Sequence, residues 1–260
     1  MWVSRFIIVA ASGAVLFFGA QAYACCTAVE ARAALRDGNF DLAASAPLGT
    51  SETRLIAAEA LSAKVLLGIA EDGKDSAKAA LELSRSVLLE DPNNAEAHFQ
   101  YALADGFITR ATSPFSAWRK KLPQRTKETV DALIARAPQD GRAHALLGAW
   151  HMGILRKTGE KNGEKWFGAN FAQGQSAYET ALSLRPEDII ITSNYALSLA
   201  EHDFDTNGSK ARNMLVQAIA KPPKDAVERE VQSRMRDILI IWNDEAALMA
   251  RIEQFLDGDG

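Results

Sequence analysis

Two histidines and two tryptophans between residues 142 and 174 are the first candidates for chemistry. His144 and His151 are seven residues apart, which is two helical turns or about 10.5 Å along a helix axis. Two histidines that chelate one metal from a helix stand four apart, and no carboxylate lies between this pair. His98 and His144 both stand six residues after a proline, a recurrence typical of a structural position. We therefore predict that the histidines have packing roles and bind no metal.

Two segments combine a tryptophan with clustered cations. Trp118 begins the segment WRKKLPQR, and Trp166 follows the segment RKTGEKNGEK. One interpretation is a solvated turn anchored by a single aromatic side chain. The other is a basic, aromatic lip that binds an acidic peptide, a carboxylate terminus, or an anionic lipid or glycan. The candidate residues of this lip are Trp118, Arg119, Lys120, Lys121, Arg156, Lys157, Lys161, Lys165 and Trp166.

Catalytic signatures are missing from the chain. There is no glycine-rich phosphate loop, no nucleophile elbow and no cluster with metal-ligand spacing. The segment DFDTNGS, which starts at Asp203, looks like part of a calcium loop, but Met214 stands where such a loop needs a glutamate. The sequence therefore predicts a protein that is not an enzyme and that needs no cofactor and no metal.

Composition indicates an all-helical protein. Apolar residues make up 48% of the 260 residues, aromatics only 8%, and alanine and leucine dominate while strand-like alternation is scarce. The formal net charge of -4 is mild, so no overall positive field argues for binding to nucleic acid.

Residues 1–24 have the pattern of a secretory signal peptide. A short, weakly basic start precedes a largely apolar run of 13 residues from Phe6 to Phe18, and the segment ends in the small-x-small pattern of Ala22 and Ala24. A membrane span needs about 20 apolar residues, so the run is too short to be an anchor. We predict cleavage after Ala24 and export to a bacterial periplasm.

Cys25 and Cys26 are the only cysteines, so no disulfide framework can hold the fold. Cys25 would be the first residue after cleavage, which makes it a candidate for lipid attachment. Ala24 fits the pattern of bacterial lipoprotein signals, whereas Ala22 is a poor match. Two alternatives stay open: a soluble periplasmic protein, or one tethered to the membrane through Cys25.

Four prolines divide the chain into helical segments. Pro92, Pro138, Pro186 and Pro223 each end an alanine- and leucine-rich stretch, and Asn or Asp after the first three can cap the next helix. Positions counted from these prolines keep their size class. Ten residues after a proline stand small residues, namely Ala102, Gly148 and Ala196. Eight residues before a proline stand Ser84, Val130, Tyr178 and Leu215. This regularity predicts a repeat of helix pairs.

The pattern resembles the tetratricopeptide repeat family, whose unit is a helix-turn-helix of about 34 residues. The resemblance covers about Leu61 to Pro223. The intervals from Pro92 to Pro138 and from Pro138 to Pro186 each exceed that unit by roughly a dozen residues. The positions counted forward and backward from the prolines, called slots below, keep their size class in both long intervals. The extra residues are therefore expected between the two helices of each unit. The middle region is also similar to the regulator-of-microtubule-dynamics proteins, which carry long turns of this kind.

The predicted fold is an all-α, tetratricopeptide-like solenoid with lengthened turns inside two repeats and capping helices at both ends. Its expected parts are a signal peptide (1–24), an N-terminal helical cap (25–60), the repeats (61–223), and C-terminal capping helices with a tail (224–260). Within the N-terminal cap, a break near Gly38 separates two short helices, and a longer helix should start near Ser51.

The resemblance implies a scaffold or adaptor that binds a protein or peptide in the cell envelope. In this family the first helices of the pairs line the concave face. The polar candidates that helical spacing places there are Gln100, Asp105, Asn194 and Glu201. The alternative is an envelope module that uses the basic, aromatic lip to bind an anionic lipid, a glycan or a small acidic molecule. The sequence predicts no oligomeric state and names no partner.

Overall fold

A computed structural model of the chain describes residues 27–258. This part is all-α, without strands, and its helices stack as a solenoid, which confirms the predicted fold class. The helices are α1 (Ala28–Asp37), α2 (Phe40–Ala44), α3 (Ser51–Leu66), α4 (Gly73–Glu90), α5 (Ala95–Arg110), α6 (Pro114–Arg119), α7 (Leu122–Arg136), α8 (Gly141–Thr158), α9 (Glu160–Phe167), α10 (Phe171–Leu184), α11 (Ile189–His202), α12 (Phe204–Ala220), α13 (Ala226–Ile240) and α14 (Glu245–Asp257). The predicted signal peptide and Cys25 lie outside the described residues.

Side-chain caps start the helix that follows each of the first three prolines. Asn94, Asp140 and Asp188 accept hydrogen bonds from backbone N–H groups in the first turns of α5, α8 and α11, at 2.9, 3.0 and 2.9 Å. Each such cap satisfies a donor that the helix itself cannot pair and contributes about 0.5–2 kcal/mol. The predicted role of these residues is confirmed.

The slots counted from the prolines form the contact seams between helices. The small residues Ala102, Gly148 and Ala196 are all buried. Gly148 shows why the slot must be small: a Cβ built on it would stand 2.5 Å from Cδ2 of the Tyr178 ring. The backbone of α8 therefore approaches α10 so closely that a side chain at this position has no room.

Both long turns contain a short helix. α6 lies between α5 and α7, and α9 lies between α8 and α10, so the extra residues stand inside the helix pairs as predicted. The rings of Trp118 and Trp166 lie 6.3 Å apart between centroids, so the two inserted helices meet at one edge of the solenoid. The sequence indicated turns at these places but not that they would be helical.

The N-terminal boundary differs from the predicted one. α3 is a continuous helix from Ser51 to Leu66, so the boundary at residue 60 falls inside it. Thr50 caps this helix and forms a reciprocal capping box with Thr53, which fixes its start. The first complete pair is therefore α3 with α4. The helices α1 and α2 precede it and are separated at Gly38, whose φ of +96° suits glycine.

The two ends of the solenoid pack against each other. α1 contacts α13, and a Cβ on Gly38 would stand 2.9 Å from Cβ of Ala226. Buried side chains from α1–α3 and from α10–α14 form one hydrophobic cluster, with Ile56, Met235 and Ile238 fully buried in it. The capping helices at the two ends therefore contact each other, and the superhelix closes around its inner face.

Candidate functional site

A groove runs along the inner face of the superhelix and encloses about 560 Å³. Its walls come mainly from α5, α8 and α11, the first helices of three successive pairs, with further residues from α6, α7, α9 and α10, and the end of α14 covers one side. We call this feature the concave groove. Its volume falls in the range of about 300–1,000 Å³ that is typical of ligand sites. Lining residues used below are Phe107, Ala149, Trp150, Asn194, Glu201 and Asp257.

Two glycines leave open space along the walls of the concave groove, because they have no side chains. Gly106 of α5 and Gly153 of α8 both line it, and a Cβ built on either residue meets nothing within 4 Å. Trp150 supplies a fixed aromatic wall, since it is only 7% exposed and its Nε1–H donates to the Pro123 carbonyl at 2.9 Å. The groove therefore combines rigid apolar walls with free space.

Three cations that line the concave groove hold the end of α14. Arg156 donates from Nη2 to Oδ1 of Asp257 at 2.5 Å, and Lys157 donates from Nζ to Oδ2 at 2.8 Å. Arg110 donates from Nη1 to the Leu256 carbonyl at 3.2 Å. This set, which we call the α14 latch, joins residues 100 and more positions apart in sequence.

Charge and burial act against each other in the α14 latch. Burial would raise the pKa of Asp257, but hydrogen bonds from Arg156 and Lys157 outweigh it and hold the pKa below its usual range. Glu201 stands near the same cations, with 3.8 Å between its Oε1 and Nε of Arg156. Burial raises the pKa of Glu201, Arg156 opposes that effect, and the Asp257 carboxylate adds to it.

The α14 latch should open in acid and when Asp257 loses its charge. Because the pKa of Asp257 is depressed in the folded chain, the stability it adds is present above the ordinary value of 3.8 and is lost below it. We expect Asp257→Asn to weaken two charge-assisted hydrogen bonds and to speed amide exchange in residues 245–257 at neutral pH. Unchanged exchange there would show that the latch does not hold α14, and the amides of α13 supply an internal reference.

Two of the predicted partner-binding residues are buried, which corrects their assignment. Gln100 is 3% exposed, and Ser62 donates to its Oε1 at 3.2 Å. Asp105 is 1% exposed, accepts from Thr126 Oγ1 at 2.6 Å and pairs with Arg125. Neighbouring helices cover both positions, which helical spacing within α5 could not reveal. Neither residue is available to a partner.

The other two predicted residues do line the concave groove. Asn194 and Glu201 are half-buried on α11 and contribute to its wall. Asn194 donates from Nδ2 to the Ile190 carbonyl at 3.0 Å, which leaves its Oδ1 as the free acceptor. Sequence reasoning missed Arg110 and Asp257 as groove residues. No local signal could have found them, because only the closure of the superhelix brings α14 to α5 and α8.

The histidines occupy structural positions. His98 and His144, in the same repeat slot, place Nε2 at 2.8 and 2.9 Å from the carbonyls of Pro92 and Pro138. His151 is 2% exposed, and its Nδ1 accepts from the backbone N–H of Asn170 at 3.1 Å. Burial, with a smaller effect from Lys127, lowers the pKa of His151 to about 4. Among residues 27–258 no group of three or more histidines, cysteines and acidic residues is placed to hold a metal.

The structure divides the predicted basic, aromatic lip into two places. Arg156 and Lys157 lie at the end of α8 and belong to the α14 latch. The remaining members are exposed residues on or beside α6 and α9. They are Trp118, Arg119, Lys120, Lys121, Lys161, Lys165 and Trp166. The exposed part of the lip therefore lies beside the concave groove, because Ala117, next to Trp118, and Phe167, next to Trp166, line the groove.

Comparison with known proteins assigns no family. No family model matches the chain, and no curated protein matches it. Within residues 27–258, none of the helices combines the length and the apolar character that crossing a membrane requires.

Proposed function

We propose that this chain is an exported, tetratricopeptide-type scaffold that binds an acidic peptide segment of a protein partner in the concave groove. The observation that carries the proposal is the α14 latch. Along one side of the groove, Arg156 and Lys157 hold the carboxylate of Asp257, while Arg110 holds the Leu256 carbonyl. A peptide that presents a carboxylate beside an apolar side chain matches these contacts.

The chemistry of the groove favours a peptide over a small polar metabolite. Phe107 and Trp150 provide apolar surface, and the charged residues that line the groove are those of the α14 latch and Glu201. The bare walls at Gly106 and Gly153 leave room for side chains of a ligand without movement of the helices. Apolar burial would then supply affinity, and the charge-assisted hydrogen bonds would fix direction.

The α14 latch also predicts that a bound peptide competes with Asp257 for the cations of the latch. An incoming carboxylate must displace Asp257 or bind beside it, so part of the binding energy is used to release the chain's own residue. Asp257→Asn should therefore increase affinity for the partner peptide. In contrast, removal of Arg156 takes away the cation that the peptide would use, so Arg156→Met should decrease affinity.

A photo-crosslinking amino acid at position 149 tests the proposal in native cells. Ala149 is exposed and lines the concave groove, so the probe can reach a bound peptide. The control position is Ile240 on α13, which is 81% exposed and does not line the groove. We expect a discrete crosslinked protein, identifiable by mass spectrometry, from position 149 and not from position 240.

A blocking variant makes the result decisive. Gly153→Trp fills the groove from a wall with open space, and Gly49→Trp adds the same side chain at an exposed position with no neighbour within 4 Å. Gly153→Trp should reduce the crosslink at least tenfold, a loss of about 1.4 kcal/mol, whereas Gly49→Trp should keep it. Equal crosslinking in both variants, or the same partner from position 240, would exclude the groove as the binding site.

Export is proposed on the pattern of residues 1–24 alone. Fractionation of the native cells, with the mass of the N-terminal peptide, tests it directly. We expect a chain that begins at Cys25 in the envelope fraction, and added mass on that peptide would show lipid at Cys25. A chain that begins at Met1 in the cytoplasmic fraction would contradict export.

A further inference from the structure

Three exposed aromatic rings form one patch on the inserted helices. Phe115, Trp118 and Trp166 are 68%, 49% and 55% exposed. Trp118 lies between the other two, with 6.3 Å between ring centroids on each side. Phe115 and Trp118 come from α6 and Trp166 comes from α9, so both insertions contribute. A contiguous patch of large, exposed aromatic rings marks a surface that interacts with a protein or a membrane.

Unpaired cations surround these rings. Arg119, Lys120, Lys121, Lys161 and Lys165 are all exposed, and none of them joins an ion pair within the described residues. Residues 106–127 contain no acidic residue at all. The acids on α9 are Glu160, which faces His202 at 3.2 Å, and Glu164. Five cations against two carboxylates leave this edge net positive in a chain whose formal charge is -4.

We propose that these rings and cations, the aromatic–basic tip, dock the protein on the surface of a bilayer that contains anionic phospholipid. Tryptophan and phenylalanine favour the boundary between headgroups and acyl chains, where an aromatic ring is apolar on its face and polar at its edge. Lysine and arginine beside them meet the lipid phosphates. The three rings are not among the residues that line the concave groove, although Pro114, Ala117 and Phe167 of the same inserted helices are.

The arrangement of the rings argues for a bilayer over a nucleic acid or sugar. Those ligands stack against the flat face of an aromatic ring, commonly within a groove. Here Phe115 and Trp166 are tilted by 37° and 42° against Trp118, so neighbouring rings form no parallel-walled slot. A bilayer surface needs no slot, because each ring inserts separately among headgroups.

Vesicle binding of the full chain tests the proposal. The vesicles contain phosphatidylcholine alone or an equal mixture with phosphatidylglycerol, and cosedimentation is measured at low and high salt. The test variant is Lys120→Glu with Lys161→Glu, and the control is Arg36→Glu with Arg212→Glu, two exposed cations on α1 and α12. Both variants change net charge by the same amount, and all chains have the N-terminus found in the native cells, so that any contribution from this end is the same in each.

The expected result is salt-sensitive binding to the anionic vesicles that falls about tenfold or more in the test variant and much less in the control. Acyl chains that carry bromine should quench tryptophan fluorescence, and Trp118→Phe with Trp166→Phe should remove most of that quenching. This double variant keeps three aromatic rings in the patch. It therefore tests whether the two tryptophans insert into the bilayer without removing the aromatic surface.

Three results would overturn the proposal. They are equal binding to both kinds of vesicle, equal loss in test and control variants, and quenching that persists without Trp118 and Trp166. If the test variant instead removes the protein crosslinked from position 149 and keeps vesicle binding, the tip is a protein interface. The groove experiment uses different positions, so either proposal can fail without the other.

Discussion

Gly148→Ala should destabilise the protein by about 2 kcal/mol, a cost typical of overpacking, although it adds a single methyl group. The new Cβ would stand 2.5–2.9 Å from three atoms of the Tyr178 ring. That ring is 1% exposed and stacks on Tyr195 with 4.9 Å between centroids, so it has little freedom to move. Overpacking of this kind costs about 1–3 kcal/mol, which exceeds the gain of up to about 1 kcal/mol from replacing glycine in a helix.

Gly153→Ala in the same helix is the matched control, and its effect should have the opposite sign. Its Cβ meets nothing within 4 Å, so only the higher helix propensity of alanine remains. We expect a gain of about 0.5–1 kcal/mol. Urea denaturation of the two variants measures the difference. If both substitutions stabilise the protein, the Tyr178 ring can move aside, and the packing between α8 and α10 is looser than the geometry indicates.

Acid should destabilise the protein through His151 between about pH 6.5 and pH 4. Burial, aided by Lys127, lowers the pKa of His151 to about 4 in the folded chain. The unfolded chain binds the proton near pH 6.5, so falling pH favours unfolding across that window. A shift from 6.5 to about 4 corresponds to a loss of up to about 3 kcal/mol. Protonation also removes the Nδ1 acceptor for the Asn170 N–H.

Chemical denaturation at several pH values measures this loss, and two histidine variants separate it from other acid effects. His151→Gln retains a hydrogen-bond acceptor and does not titrate, so its stability should fall much less between pH 6.5 and pH 4. His144→Gln removes a histidine elsewhere on α8 and should keep the loss. An unchanged slope in His151→Gln would assign the acid sensitivity to other groups. The Asp257 effect is separate because it lies below pH 3.8.

Local features of the chain could be predicted because they depend on neighbouring residues. Prolines end helices, and the Asn and Asp that follow them cap the next one, which placed the starts of α5, α8 and α11. The spacing counted from those prolines identified Gly148 as a seam residue and located both insertions. The helices inside the insertions were not predictable, since α6 has only six residues and α9 only eight, which is too few for a helical period to be recognised.

Contacts between distant parts of the chain were decided by the tertiary structure. Small rotations between successive helix pairs add up along a solenoid, and here they bring α1 to α13 and the end of α14 to α5 and α8. That closure buries one side of the concave groove and puts Asp257 beside Arg156. The packing of α3 and α7 on α5 likewise buried Gln100 and Asp105, which looked available in the sequence.

The sequence by itself therefore determined the helix pairs, their caps, their small seam residues and the edge from which the insertions leave. Only the tertiary structure decided which polar residues face the groove, that Arg156 and Lys157 hold the chain's own carboxylate, and that Phe115, Trp118 and Trp166 meet in one patch. The physical reason is the distance along the sequence over which each feature is determined. Caps and seams follow from residues a few turns apart, whereas closure depends on the summed geometry of all the pairs.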